Sequence, residues 1–119
     1  MLTACRLLTP SYNEAMARLT KLKRAYDDYN DRYFGGKLPD TIKVKWSRTL
    51  PGHGRWLSFA EGGIIEIAAW QRKYWMTWNL TLLHEMAHVA TDHEIEEHGP
   101  KWHREMRRLA RSGAFDKIW

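Results

Sequence analysis

Two histidines four residues apart, His84 and His88, enclose Glu85 beside the first of them. On a helix, side chains at i and i+4 stand one above the other on the same face, so both imidazoles can reach one metal ion. Glu85 projects close to the same point and can take a proton from a metal-bound water. His84-Glu85-Met86-Ala87-His88 is thus the H-E-x-x-H pattern, in which the two His bind zinc and the Glu is the general base. With 6 His and 8 Glu in 119 residues, chance alone produces the pattern in roughly 0.02 of such chains. The pattern also needs a helix. Leu80, Leu83, Ala87 and Ala90 recur at spacings of three and four, and Thr77 reads as the N-cap ahead of them. A surface helix that carries two histidines by accident is the rival reading, and these residues fit it less well.

A catalytic zinc site usually has three protein ligands, with water in the fourth position. Downstream candidates are His93, Glu94, Glu96, Glu97, His98, His103 and Glu105. The long metzincin pattern needs Gly at 91 and His at 94, where this chain has Thr91 and Glu94. His98 is favoured because it opens His98-Gly99-Pro100-Lys101-Trp102, a loop end followed by a helix start with Pro100 at the first helical position. His103 falls on the body of that helix, where it can instead pack or orient a ligand.

Together, His84-Glu85-Met86-Ala87-His88 and His98-Gly99-Pro100-x-Trp102 resemble the SprT-like (Spartan-like) zinc metalloprotease family. The upstream stretch agrees, with Tyr29 through Pro39 similar to the family's helix end and Phe-x-Gly-x-Leu-Pro turn, and Val44-Lys45-Trp46-Ser47 similar to its first strand. The similarity runs over about residues 19–112. The connection from His88 to His98 is short for the family, and the family's C-terminal four-cysteine zinc ribbon has no counterpart here. The resemblance implies one zinc ion per chain on His84, His88 and His98, with Glu85 activating its water. It also implies protein substrates that are bound or crosslinked to DNA. Two rivals stay open: a metallopeptidase unrelated to DNA, and a non-catalytic zinc-containing DNA-binding module. Glu85 argues against the second, because a structural site needs no base.

Composition sets limits on both. A chain of 119 residues reads as one domain, 1–119, able to bury roughly 70% of its unfolded surface. Cys5 is the only cysteine, so the reading expects no internal disulfide, no thiolate metal site and a reducing cytosol, with nucleoid or nuclear association if DNA is the partner. No apolar run is long enough for a membrane span, and Met1–Arg6 lacks a signal-peptide layout. The reading expects a monomer. A net charge of +5 suggests an anionic partner. Arg104, Arg107, Arg108 and Arg111 share two turns of the last predicted helix, Lys43 and Lys45 face outward from a predicted strand, and Trp75 sits among aromatics and cations that can stack unpaired bases. These residues are the candidate contacts for weak, sequence-independent binding, preferentially to single-stranded DNA.

The elements that must position the site follow from periodicity. Ser11-Tyr12-Asn13-Glu14 reads as a capping box for an amphipathic helix in which Tyr12, Leu19, Tyr26 and Tyr33 recur every seven residues, ended by Gly35-Gly36. This spacing predicts a helix of about 22 residues. Ile42, Val44 and Trp46 alternate with lysines as a half-buried strand. His53 falls in a loop and reads as solvated. Arg55–Ala60 and Ile64–Ala68 flank Glu61-Gly62-Gly63 as a hairpin, and Ile64–Ala68 is expected to be the edge strand that pairs with an extended substrate. Trp70–Met76 either stacks bases or packs beneath the metal helix. The acidic stretch Asp92–Glu97 either orients the imidazoles or is simply solvated. Trp102, Met106 and Leu109 form the apolar stripe of the closing helix, and Phe115, Ile118 and Trp119 are expected to fold back onto the core. The fold expected is α+β in the minimal zincin manner: a long N-terminal helix, a small three-stranded sheet, the H-E-x-x-H helix and a closing C-terminal helix.

Overall fold

Hydrogen bonds from side chains and glycines set the limits of the first helix. The computed structural model describes residues 20–118. Thr20 is extended and its hydroxyl accepts the Lys23 N–H at 3.1 Å, which starts helix α1 (Lys21–Tyr33). The helix stops where Gly35 and Gly36 take φ of +60° and +70°, angles that only glycine adopts at no steric cost. Ser11, Tyr12 and Leu19 of the longer predicted helix lie outside the described residues, as do Cys5 and Trp119. Within them the helix has 13 residues and its own cap at Thr20. Buried Asn30 then donates to the Leu38 carbonyl and accepts the Leu38 N–H, so the turn after α1 is pinned back onto it.

Three strands follow, β1 (Lys43–Ser47), β2 (Gly54–Leu57) and β3 (Ile64–Ala68), in the spatial order β1-β3-β2. β1 runs parallel to β3 with Lys45 opposite Glu66, and β2 runs antiparallel to β3 with Gly54 opposite Ile67. This order corrects the expectation for Ile64–Ala68. β3 is the central strand, its backbone groups are taken up on both sides, and the sheet edges are β1 and β2. The predicted strand Arg55–Ala60 also ends early, at Leu57. Ser58 accepts N–H groups from Glu61 and Gly63, and this coils Phe59–Glu61 into a 3-10 turn.

The inner face of the sheet carries Val44, Ile65 and Ile67, and Trp46 meets Trp78 edge to face at 6.0 Å. The outer face carries Lys43 and Lys45, together with the Arg55–Glu66 pair at 2.6 Å. After β3 a 3-10 turn (Ala69–Lys73) leads into helix α2 (Trp75–Ala90). α2 begins at Trp75, two residues before the predicted cap Thr77, with Tyr74 at the cap position. Trp78, Leu82, Leu83, Met86, Ala87 and Val89 are buried, whereas Leu80 and Ala90 of the predicted stripe are only half-buried. Trp70, Tyr74, Trp75 and Met76 are about half exposed, so the aromatics around the turn do not pack beneath α2. The buried residue of that segment is Gln71.

Helix α3 (Pro100–Arg111) closes the fold with Trp102 and Leu109 inward. Phe115 and Ile118 return to the core as expected. The architecture is the α+β arrangement expected from the sequence.

Candidate metal centre

α2 holds His84 and His88 one turn apart with ring centroids 5.2 Å from each other. His98 arrives from the connection to α3, with its ring 5.1 Å from that of His84 and 4.8 Å from that of His88. One nitrogen from each of the three rings lies within 4.8 Å of the others, and His84 Nε2 is 3.2 Å from His98 Nε2. His98 has φ +54°, the only positive φ outside glycine among the described residues. A side chain held in that region costs about 1–2 kcal/mol and persists where its surroundings over-determine it. The other histidines stand apart from this cluster: His93 Nε2 is 3.1 Å from Lys101 Nζ, His103 is exposed beside Trp102, and His53 packs its ring against Trp70 at 5.3 Å.

The over-determination of His98 comes from Trp102, which the sequence presents only as one residue of an apolar stripe, and from Glu94, which it presents only as a candidate ligand. Trp102 lies beneath all three imidazoles, with centroid distances of 4.8, 5.4 and 4.4 Å to His84, His88 and His98. Its indole N–H points at the His84 carbonyl, 3.4 Å away. Glu94 accepts the Lys101 N–H at 2.8 Å and the Trp102 N–H at 3.1 Å, one on each carboxylate oxygen. It thereby caps α3 from the preceding loop. Gly99 gives it room, since a Cβ there would lie 2.7 Å from the Glu94 carboxyl carbon. Partial desolvation raises the Glu94 pKa, but the two backbone N–H groups and the charge of Lys101 outweigh it and hold the carboxyl below its ordinary value. Asp92 accepts the Trp56 indole N–H at 2.8 Å and so ties the same loop to β2. The acidic stretch is therefore partly structural. Glu94→Ala should weaken metal binding about 10-fold, the effect expected for a group that orients a ligand without touching the ion. Competition with a metal-sensitive dye would measure this.

The partial burial of His84 and His88, and the chemistry of all three imidazoles, suit the cluster to a cation. His84 and His88 are each lowered to a pKa of about 4, chiefly by burial, with His98 next in effect at His84 and His84 next at His88. Both therefore present neutral nitrogens at neutral pH. The set is compatible with a metal ion that accepts imidazole ligands. Glu85 is 5% exposed, and its Oε2 is 4.0 Å from His84 Nε2. Burial, and secondarily the charge of Glu97, pushes its carboxyl up to about 8. A carboxyl with a pKa near neutrality both gains and loses a proton readily, which is what a proton carrier must do.

These groups face an open cleft of about 710 Å³, walled by β2 on one side and by residues of the α2–α3 connection, including Ile95 and Glu97, on the other. Gly54 brings β2 against α2: a Cβ there would be 2.6 Å from Thr81 Cγ2 and 3.0 Å from Glu85 Oε2.

The basic residues singled out from the sequence are divided by the fold. Arg104, Arg107 and Arg111 are exposed along α3. Arg108 is committed elsewhere. Its guanidinium donates to the Tyr33 carbonyl and the Glu105 carboxylate, both at 2.6 Å, and lies over the Phe34 ring, because α3 docks on the end of α1 at that point. Lys43 and Lys45 are exposed on β1, and Trp75 is 49% exposed at the start of α2.

The model of the SprT-like family matches residues 22–117 of this chain. No curated protein sequence is similar enough to count as a match. Among solved structures, the crystal structure of the metallopeptidase zymogen of Pyrococcus abyssi abylysin is similar at a TM-score of 0.59 and 19% identity, covering 82% of this chain and 87% of that one. At that identity the likeness is one of fold.

Proposed function

This chain belongs to the SprT-like family, and we propose that it is a zinc-dependent endopeptidase that acts on proteins bound or crosslinked to DNA. One observation carries the peptidase reading: three imidazole nitrogens converge within 4.8 Å beside a buried carboxyl in an open cleft. His84, His88 and His98 would hold the ion. When bound, zinc supplies Lewis acidity, lowering the pKa of water toward about 7 and polarising the peptide carbonyl. Glu85 takes the proton of the attacking water and later delivers it to the leaving amine. β2 offers its free edge to an extended substrate, so that main-chain pairing aligns the peptide across the cleft. Trp102 holds the three imidazoles from below and keeps water from their inner side.

The test is incubation of the purified protein with a DNA-bound basic protein, with and without chelator and with and without single-stranded DNA. Cleavage that stops on chelation and quickens with DNA supports the full reading. Chelator-sensitive cleavage indifferent to DNA leaves a general metallopeptidase. Absence of cleavage in the metal-loaded protein overturns the enzymatic reading.

The DNA part rests on the exposed Arg104, Arg107 and Arg111, on Lys43 and Lys45, and on half-exposed Trp75. Arg108 drops out of the ridge. Binding through such groups is sequence-independent and falls with salt, with a log–log slope of about −0.7 per phosphate neutralised on a single strand. Affinity is expected to be micromolar or weaker. Arg107→Glu with Arg111→Glu should abolish binding in fluorescence anisotropy at low salt and remove any stimulation of cleavage by DNA, while zinc content stays the same. Wild-type affinity in that variant would end the assignment of the ridge.

A further inference from the structure

Among the described residues, the most deeply buried side-chain amide takes no part in the proposed chemistry. Gln71 is 0% exposed on the 3-10 turn between β3 and α2. Its Nε2 donates to the His53 carbonyl at 2.6 Å, and its Oε1 accepts the Thr81 hydroxyl at 2.8 Å. The same His53 carbonyl accepts the N–H of Ala68, the last residue of β3, at 2.8 Å. One amide thus joins the residue just before β2, the end of β3 and the body of α2. Thr81 lies one turn ahead of Glu85 on α2, at the i, i+4 spacing that places both on one face. Gly54, the residue after His53, approaches that face as closely as the lack of a side chain permits.

We propose that Gln71 is a positioning residue for the peptidase reaction, setting the height of edge strand β2 over Glu85. The inference rests on the peptidase reading given above. A neutral amide is the group the place requires: it donates on one side and accepts on the other, matching a carbonyl and a hydroxyl. A carboxylate serves only the hydroxyl, and a thioether serves neither. Substrate pairs with β2, whereas the proton carrier is on α2, so the offset between these two elements fixes how the scissile carbonyl meets Glu85. An error of about 1 Å in such an offset costs about 10²-fold in rate. Folding depends less on the contact, because the Thr81 hydroxyl can turn to the carbonyl one helical turn back and the His53 carbonyl keeps the Ala68 N–H.

The test compares wild type with Gln71→Met, which is similar in length and lacks both hydrogen bonds, and with Gly54→Ala, which pushes β2 off α2 with Gln71 intact. Three quantities are read: steady-state cleavage of an extended peptide, zinc stoichiometry, and amide hydrogen exchange along the chain. Gln71→Met should bind one zinc, raise KM at least 5-fold and lower kcat at least 10-fold. Exchange should quicken at residues 53–57 and stay unchanged in α1 and α3. Gly54→Ala should shift KM and kcat in the same direction. A smaller folded fraction lowers kcat alone, so the rise in KM separates positioning from general stability. Gln71→Met with wild-type KM, or with exchange quickened uniformly, overturns the proposal while leaving the peptidase reading intact. A wild-type protein that cleaves nothing removes both.

Discussion

Glu85→Gln should leave the protein folded and metal-loaded and reduce peptide cleavage at least about 10²-fold. The amide has the shape of the carboxyl, so the cleft and the three histidines keep their places. What is lost is the ability to carry a proton. Glu85 is buried to 5% exposure and its pKa is pushed up to about 8, so the native side chain is poised between its two forms, and no neighbouring carboxyl is as deeply buried in the cleft. Glu97, though its charge reaches Glu85, is exposed. Zinc by elemental analysis should remain near one per chain. An active Glu85→Gln protein would sink the proposed mechanism, and Glu97→Gln should be nearly silent beside it.

The second large effect is expected at His98. His98→Ala should weaken zinc binding by more than about 100-fold, beyond the 10–100-fold typical of groups that only orient a ligand. His93→Ala and His103→Ala should change it little, because neither ring belongs to the cluster of His84, His88 and His98. Retention of zinc by His98→Ala together with its loss in His103→Ala would refute the ligand assignment. Thermal stability offers an independent readout. An ion bound only by the folded state stabilises by mass action, about 2.7 kcal/mol at a free concentration 100 times Kd. Chelation should therefore lower the melting temperature of the wild type and leave that of His98→Ala almost unchanged.

How much of this was readable in the chain depends on the range of each interaction. His84, Glu85 and His88 are set by one helical turn, and His98 by its own Gly-Pro turn, so local spacing points to all four. The strand order is different. β2 and β3 are both short apolar runs beside a glycine turn, and nothing local says which one receives β1 as a parallel neighbour. The expectation that β3 is the edge strand fails for this reason. Glu94 caps a helix that starts several residues downstream of it, outside the adjacent-residue patterns by which caps are read. Its sequence signal, an acid ahead of His98-Gly99-Pro100, is visible only once the fold back is known. Trp102 reads as one apolar residue of a stripe, and only docking of α3 shows it lying under the imidazoles. Arg108 looked equivalent to Arg104 and Arg111 because the proximity of the α1 terminus is a tertiary fact.

The brevity of β2 bears on how such an enzyme would live with its own fold. An open sheet edge is a template for any extended chain, including a partly unfolded copy of the same protein. β2 has four residues, begins with a glycine and is cut off by a 3-10 turn. In a strand that short only alternate residues turn their backbone groups outward, about two of them. At about 0.5–1.5 kcal/mol net per hydrogen bond, that is enough to orient a visiting peptide and too little to retain it. In the proposed peptidase so short an edge would offer little to a second copy, and cleaved ends should leave quickly, so turnover on loose, poorly structured segments would be limited by their encounter with the cleft.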